Sequence, residues 1–271
     1  MVAVNQQQRE QWNAENQAKL WPKRERITNC VTPPLLDLLA LQPGERVLEI
    51  GCGGGLAALE GAKHVGPSGE VVGLDISTPL VNLASSRAEA GGVRNVRFLT
   101  GDAQVDGVPG AAFDAAMSQF GVMFFADPVA AFANIRRHLR PGGRIAFACW
   151  QSPADNAWFP GPILARYMPP PPPNPSGAPP PGPFAFADPN HVRKVLESAG
   201  FENIDREPFT ADVAVPEDSV FDRETLDTRV DARKREQAWH DLQELAGSMR
   251  RSDGQLEVHL AVHFITARTP D

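Results

Sequence analysis

Cysteine is scarce in this 271-residue chain: Cys30, Cys52 and Cys149 are odd in number and far apart. That excludes a disulfide framework and a Cys-x-x-Cys zinc site, and it fits a reducing compartment. Positive charge is also short, with 26 Lys and Arg against 33 Asp and Glu, a formal net charge of -7 at pH 7. Nucleic-acid-binding domains are usually basic, so this balance argues against a nucleic-acid partner. No apolar run reaches the roughly 18 residues that a membrane-spanning helix requires. The first twenty residues, MVAVNQQQREQWNAENQAKL, are polar where a signal peptide carries an apolar stretch. The expectation is a cytoplasmic protein without a membrane span, a nucleic-acid partner or a metal. The oligomeric state is not legible.

Hydrophobic residues at 42% and charged residues at 22% are those of an ordinary globular protein. The length suits a sizeable core and one structural domain. Residues 1–44 read as a helical cap, with Pro22 and Pro33-Pro34 as punctuation. Residues 45–150 alternate strands (ERVLEIG, EVVGLDIS, NVRFLTGDA, FDAAMSQFGVMFF, RIAFACW) with helices over 56–65, 78–90 and 128–139. Such alternation predicts βαβ units and a parallel sheet. A stretch with ten prolines (169–173, 175, 179–181 and 183) lies within a linker or lid, 151–187. It favours polyproline II, as a stiff connector or a partner-binding segment. From 188 to 271 the sheet is completed by FENIDREPF and LEVHLAVHFITAR around a helical insertion of about 211–253. Asp188, Pro189 and Gly200 frame a helix. A charge-balanced helical run, 222–251, reads as a solvated face, with Leu226, Val230, Trp239, Leu242, Leu245 and Met249 available to pack on the body or form a cap.

The informative segment is Val47-Leu48-Glu49-Ile50-Gly51-Cys52-Gly53-Gly54-Gly55, a strand running into a glycine loop that opens a helix. Glycines permit close backbone approach, and the helix N-terminus offers free N–H groups. The nicotinamide fingerprint G-x-G-x-x-G fails here because position 56 is Leu. Asp75 ends the second strand, where a carboxylate accepts from a ribose diol. Asp102-Ala103 follow the third strand, with an acceptor and an N–H suited to an adenine edge. Ser118-Gln119 end the fourth. All four lie at C-terminal strand ends, where open α/β sheets bind ligands.

Residues 47–55, 71–77, 101–103, 113–120 and 140–150 resemble the ordered motifs of the class I S-adenosylmethionine-dependent methyltransferases. Gln11 to Trp21 looks like the start of those acting on quinones and natural products. The resemblance implies a Rossmann-like, doubly wound α/β sheet of seven strands, mostly parallel with the last antiparallel, plus N-terminal helices and a helical lid insertion. It implies S-adenosyl-L-methionine as cofactor and S-adenosyl-L-homocysteine as product. It places Glu49 at the amino group, Gly51 and Gly53 along the methionine and ribose, and Cys52 at a variable position of that loop. Asp75 would take the ribose hydroxyls, Ile76 the adenine face, Asp102 and Ala103 the adenine edge, and Gln119 the methionine part. Trp12 would cover the sulfonium or the acceptor, or simply pack its helix.

The expected reaction is in-line methyl transfer to the O, N or C atom of a small, apolar or aromatic acceptor. Met123, Phe124 and Phe125 would line its pocket or be plain core, with Trp150 and Trp158 as further candidates. The catalytic base is unknown. His64 and His138 fall at the far end of the sheet. His191 and His259 fall on the ligand side, although a surface or satisfied histidine is the commoner case. The acidic pocket of an aminopropyl transferase and the converging thiolates of an arsenic methyltransferase are missing. So is the Asn/Asp-Pro-Pro-Tyr of nucleic-acid methylation. The alternative from another class is a non-catalytic module that binds the cofactor or a partner.

Overall fold

The computed structural model describes residues 5–14, 16–110, 112–169 and 179–271. Three helices come first: α1 (Gln6–Trp12), α2 (Gln17–Thr28) and α3 (Thr32–Leu39). Strands and helices then alternate through β1 (Arg46–Ile50), α4 (Leu56–Val65), β2 (Glu70–Asp75), α5 (Thr78–Ala90), β3 (Val96–Thr100), β4 (Phe113–Gln119), α6 (Pro128–His138) and β5 (Leu139–Trp150). The last third holds α7 (Gly161–Leu164), α8 (Pro189–Ser198), β6 (Glu202–Val215), α9 (Arg223–Arg229), α10 (Arg235–Met249) and β7 (Leu256–Arg268).

All seven strands form one sheet in the order β3-β2-β1-β4-β5-β7-β6. The strands from β1 to β5 pair in parallel, and β7 runs antiparallel to both β5 and β6. This is the mostly parallel, doubly wound sheet expected from the sequence. Val47, Leu48, Ile50, Val71, Val72 and Leu74 are all buried, as apolar strands covered by helices on both faces must be. Caps start the helices. Ser77 Oγ accepts from the Leu80 N–H at 3.4 Å, Asp127 Oδ1 from Ala130 at 2.9 Å and Asp188 Oδ1 from Asn190 at 2.9 Å. A proline follows each cap within two residues, pre-setting the first turn.

Several boundaries differ from the sequence expectation. The N-terminal helix breaks between Trp12 and Gln17. Strand β4 stops at Gln119 instead of running to Phe125, because Phe120 turns into the left-handed region at φ 66° and Val122–Phe124 form a 3-10 turn. Strand β5 begins at Leu139, which pairs with Phe113, so Arg140 to Gly143 form an irregular part of the strand. Strand β6 runs to Val215, paired with Leu256, so the insertion starts at about 216. The charged run 222–251 is two helices, broken where Val230 is extended and Asp231 caps a 3-10 turn. Most of the proline stretch, 170–178, lies outside the described residues. No described helix is long and apolar enough to cross a membrane.

Candidate functional site

Strand β1 lies between β2 and β4, so the chain winds away from it in both directions. Open α/β sheets bind ligands beyond the strand ends at such a point, and a cavity of about 810 Å³ opens there. Its floor comes from four strand ends: Glu49, Gly51 and Cys52 from β1, Asp75 and Ile76 from β2, Asp102 and Ala103 from β3, and Gln119 from β4.

Backbone packing builds this floor. Gly51 has φ +66°, and a Cβ there would stand 2.7 Å from the Cα of Gly121. The left-handed turn at Phe120 is what brings Gly121 so close, a costly conformation for a bulky residue. Gly53, expected along the ligand, is not on the cavity wall. A Cβ on it would fall inside the Trp21 ring, so α2 covers this part of the loop. Glu25 ties that cover down. It accepts from Trp21 Nε1 at 2.8 Å and holds both terminal nitrogens of Arg87 on α5 at 2.7 Å.

The polar groups of the floor have distinct partners. Asp75 is buried, and its two oxygens accept from the N–H groups of Gly53 at 2.7 Å and Ser77 at 2.8 Å. Burial pushes its pKa up to about 6 against the pull of those N–H groups. Glu49 is buried, with Oε2 unpartnered, and burial holds its pKa well above the usual carboxylate range. Asp102 accepts from Gln104 N–H on Oδ1 at 3.0 Å and from the Asn5 side-chain amide on Oδ2 at 2.8 Å. Gln119 has its amide occupied on both sides, accepting from Thr32 Oγ1 at 2.8 Å and donating to Thr28 O at 3.2 Å. It therefore locks the end of α2 to the sheet. Cys52 is buried, and burial raises its thiol pKa, with Asp75 and Glu49 adding to the effect.

The walls are mostly apolar. Trp12 meets Phe124 edge-on at 5.2 Å between ring centroids and Trp21 at 6.2 Å. Phe120 stacks on Trp150 at 4.1 Å, and Trp150 meets Trp158 edge-on at 5.5 Å. Met123 and Phe125 line the cavity too, while Phe125 also packs on core Phe132 at 6.0 Å. Both lid segments contribute, through Trp158 to Leu164 and through Asp218 to Leu226 and Arg229.

The histidines need a correction. His259 lies beyond the end of β5, whose last residue, Trp150, pairs with Val262. It is exposed on the β6–β7 ribbon, bonded to Asp212 at 2.7 Å, and does not line the cavity. His191 faces a separate pocket of about 110 Å³ beside Phe186. His138 is structural, with Nε2 accepting from the Val108 N–H at 2.9 Å. No described histidine lines the main cavity. Sequence reasoning missed Trp21, Arg24 and Arg229 as site residues. Nothing in their neighbours along the chain distinguishes them, since the cavity is closed by helices that meet only in the folded state.

A family profile described as a methyltransferase domain matches residues 47–143. The chain is 40% identical over 113 residues to aklanonic acid methyltransferase DauC of Streptomyces sp. (strain C5), covering 42% of this chain and 51% of that protein. It thus spans about half the length of that relative. It is 32% identical over 176 residues to demethylmenaquinone methyltransferase of Thermus thermophilus, covering 61% of this chain and 78% of that one. Among solved structures, the YcgJ protein of Bacillus subtilis superposes with a TM-score of 0.62 at 18% identity, covering 90% of this chain and 99% of that one. At that identity the likeness is one of fold.

Proposed function

The chain belongs to the class I S-adenosylmethionine-dependent methyltransferases, and we propose that it transfers the methyl group of S-adenosyl-L-methionine in line to a small apolar or aromatic acceptor. The observation that carries this reading is the convergence of Gly51, Asp75, Asp102 and Glu49, from three successive strands, on one cavity whose remaining walls are rich in aromatic and other apolar side chains.

The residues present fit the cofactor. Glu49 Oε2 is a buried acceptor with no partner in the protein, which an ammonium group would satisfy. Each Asp75 oxygen already holds one backbone N–H and keeps lone pairs for a ribose hydroxyl. Asp102 Oδ2 already accepts from an amide nitrogen at 2.8 Å, so an adenine amino group suits it chemically. Ala103 and Ile76 lie beside these carboxylates on the cavity wall. When bound, the cofactor supplies a methyl group activated by a sulfonium.

The protein's own task is to place an acceptor atom and exclude water, which supplies much of the rate in such transfers. Trp12 and Phe124, in edge-on contact, form a stiff apolar wall for that purpose. Met123 behind them is buried and fixes the wall to the core. One relative is named for the methylation of aklanonic acid. Its match to residues of this chain supports a natural-product acceptor here.

Calorimetric titration with S-adenosylmethionine, S-adenosylhomocysteine and NADH tests the cofactor reading. The first two are expected to bind in the micromolar range and NADH not at all. Binding of NADH instead, or of none of the three, would overturn it.

A further inference from the structure

One wall of the cavity, made by α2, the 3-10 turn Glu217–Ser219 and α9, leaves two of its three cavity-lining cations without a carboxylate partner among the described residues, because its carboxylates are engaged elsewhere. Lys23 is satisfied, lying 3.2 Å from Asp218 and 3.7 Å from Asp222. Asp222 is further engaged as the cap of α9, accepting from the Thr225 N–H at 2.8 Å. Glu25 belongs to Arg87. Arg24 and Arg229 both line the cavity, and among the described residues neither has a carboxylate within ion-pair distance. Arg24 donates to Gln17 Oε1 at 2.6 Å and stands over the Trp12 ring at 5.9 Å. Arg229 has no side-chain partner among the described residues. Ser219 Oγ, on the same wall, is buried and unpartnered. The unpaired polar groups here are thus all able to donate.

Arg24 is half-buried and Arg229 exposed at the cavity wall, and neither is paired with a carboxylate among the described residues, so an anion in the cavity can meet both without displacing a carboxylate of the protein. The pKa of Arg24 falls to about 10 through burial and, secondarily, the charge of Arg229, with Asp222 opposing. A planar guanidinium fork matches a carboxylate with two parallel hydrogen bonds.

We propose that Arg24 and Arg229 form an anion clamp, and that the acceptor is an apolar ring system bearing a carboxylate. Its ring would lie among Trp12, Phe124 and Trp150, and its carboxylate would meet the donors of the α2–α9 wall. The clamp rests on the methyltransferase reading for the role of the molecule it holds, though not for its charge preference.

A matched pair of ligands tests it: 2-naphthoate and its neutral amide, 2-naphthamide, titrated calorimetrically at pH 7.5 with and without saturating S-adenosylhomocysteine. The proteins are the wild type, Arg24→Met and Arg229→Met. The wild type is expected to prefer the carboxylate by about tenfold or more, and each variant to cut that ratio below about threefold. Equal affinities, no binding of naphthoate, or an unchanged ratio in both variants would overturn the clamp. The other source of a carboxylate is the methionine part of the cofactor. If Arg24→Met weakens S-adenosylhomocysteine about tenfold and leaves the naphthoate preference intact, Arg24 serves the cofactor and the clamp is wrong. If the wild type prefers naphthoate and fails to bind S-adenosylhomocysteine, the cofactor reading falls and the clamp stands. Should a Met variant fail to fold, the Lys variant keeps the charge without the fork, and it is expected to bind naphthoate more weakly than the wild type. An unchanged ratio there would also overturn the clamp.

Discussion

Replacing Asp75 by Asn separates affinity from stability. The carboxylate is buried, with one backbone N–H on each oxygen, from Gly53 at 2.7 Å and Ser77 at 2.8 Å. Burial raises its folded pKa to about 6 from 3.8. A carboxyl raised in this way binds its proton more tightly in the folded state. Its effect on stability is therefore favourable at low pH and lost as pH rises through about 6. About two pKa units correspond to roughly 3 kcal/mol lost between pH 4 and 7. Asn removes that charge and offers one acceptor to two N–H groups, leaving one unsatisfied at about 1–3 kcal/mol. The two effects nearly cancel, so the unliganded variant is expected to melt within a few degrees of the wild type at pH 7.5. Affinity does not cancel. Two hydroxyl hydrogen bonds to a carboxylate contribute about 1.5–3 kcal/mol each, so losing them weakens S-adenosylhomocysteine by about a hundredfold or more. In the wild type the ionised carboxylate is the binding form, so affinity should fall about tenfold from pH 7 to pH 5. The diagnostic is the part of that slope that Asp75→Asn removes. Calorimetry across this range is the assay. A variant that binds within about threefold of the wild type at pH 7.5, or keeps the full slope, would refute the reasoning.

Two further predictions concern the floor and the histidines. Gly121→Ala puts a Cβ 2.8 Å from both the Gly51 Cα and the Ile50 carbonyl oxygen, which are backbone atoms that cannot swing away. It is expected to cost about 1–3 kcal/mol by urea melts and to weaken S-adenosylhomocysteine, and a neutral outcome would mean the loops are looser than described. His191→Ala and His259→Ala are expected to keep at least about half of the wild-type turnover, since both lie outside the cavity. Loss of turnover in either, with cofactor binding intact, would restore it as a catalytic candidate.

The floor of the site was legible because each of its members sits beside its own strand in the sequence. Glu49, Asp75, Asp102 and Gln119 lie within two residues of the end of a strand, so locating the strand locates the residue. Parallel strands share one direction, and their C-terminal ends therefore reach one edge. What failed was register within long elements. His259 and His263, four residues apart on β7, fall on one face of the strand, yet His263 is buried and His259 exposed. The difference is that β5 lies beside one and has ended before the other, a fact of strand length that alternation does not carry. Gly53 failed in the opposite way. The glycine was needed, but for the Trp21 ring that crosses it and not for an open path to the ligand.

The acceptor half was unreadable for a reason of construction. Trp12, Arg24, Phe120, Trp150, Trp158 and Arg229 come from separate parts of the chain and share no local pattern. They become one surface only through longer-range packing: Gln119 pinned to Thr28 and Thr32, Glu25 pinned to Arg87, Lys23 shared by Asp218 and Asp222. These contacts join α2 to the sheet, to α5 and to the insertion before β7. A change in the insertion can thus alter the acceptor wall without touching the strand ends that form the floor. Such separation lets one sheet serve many acceptors. It also explains why the residues proposed here to select the acceptor leave the weakest trace in the sequence.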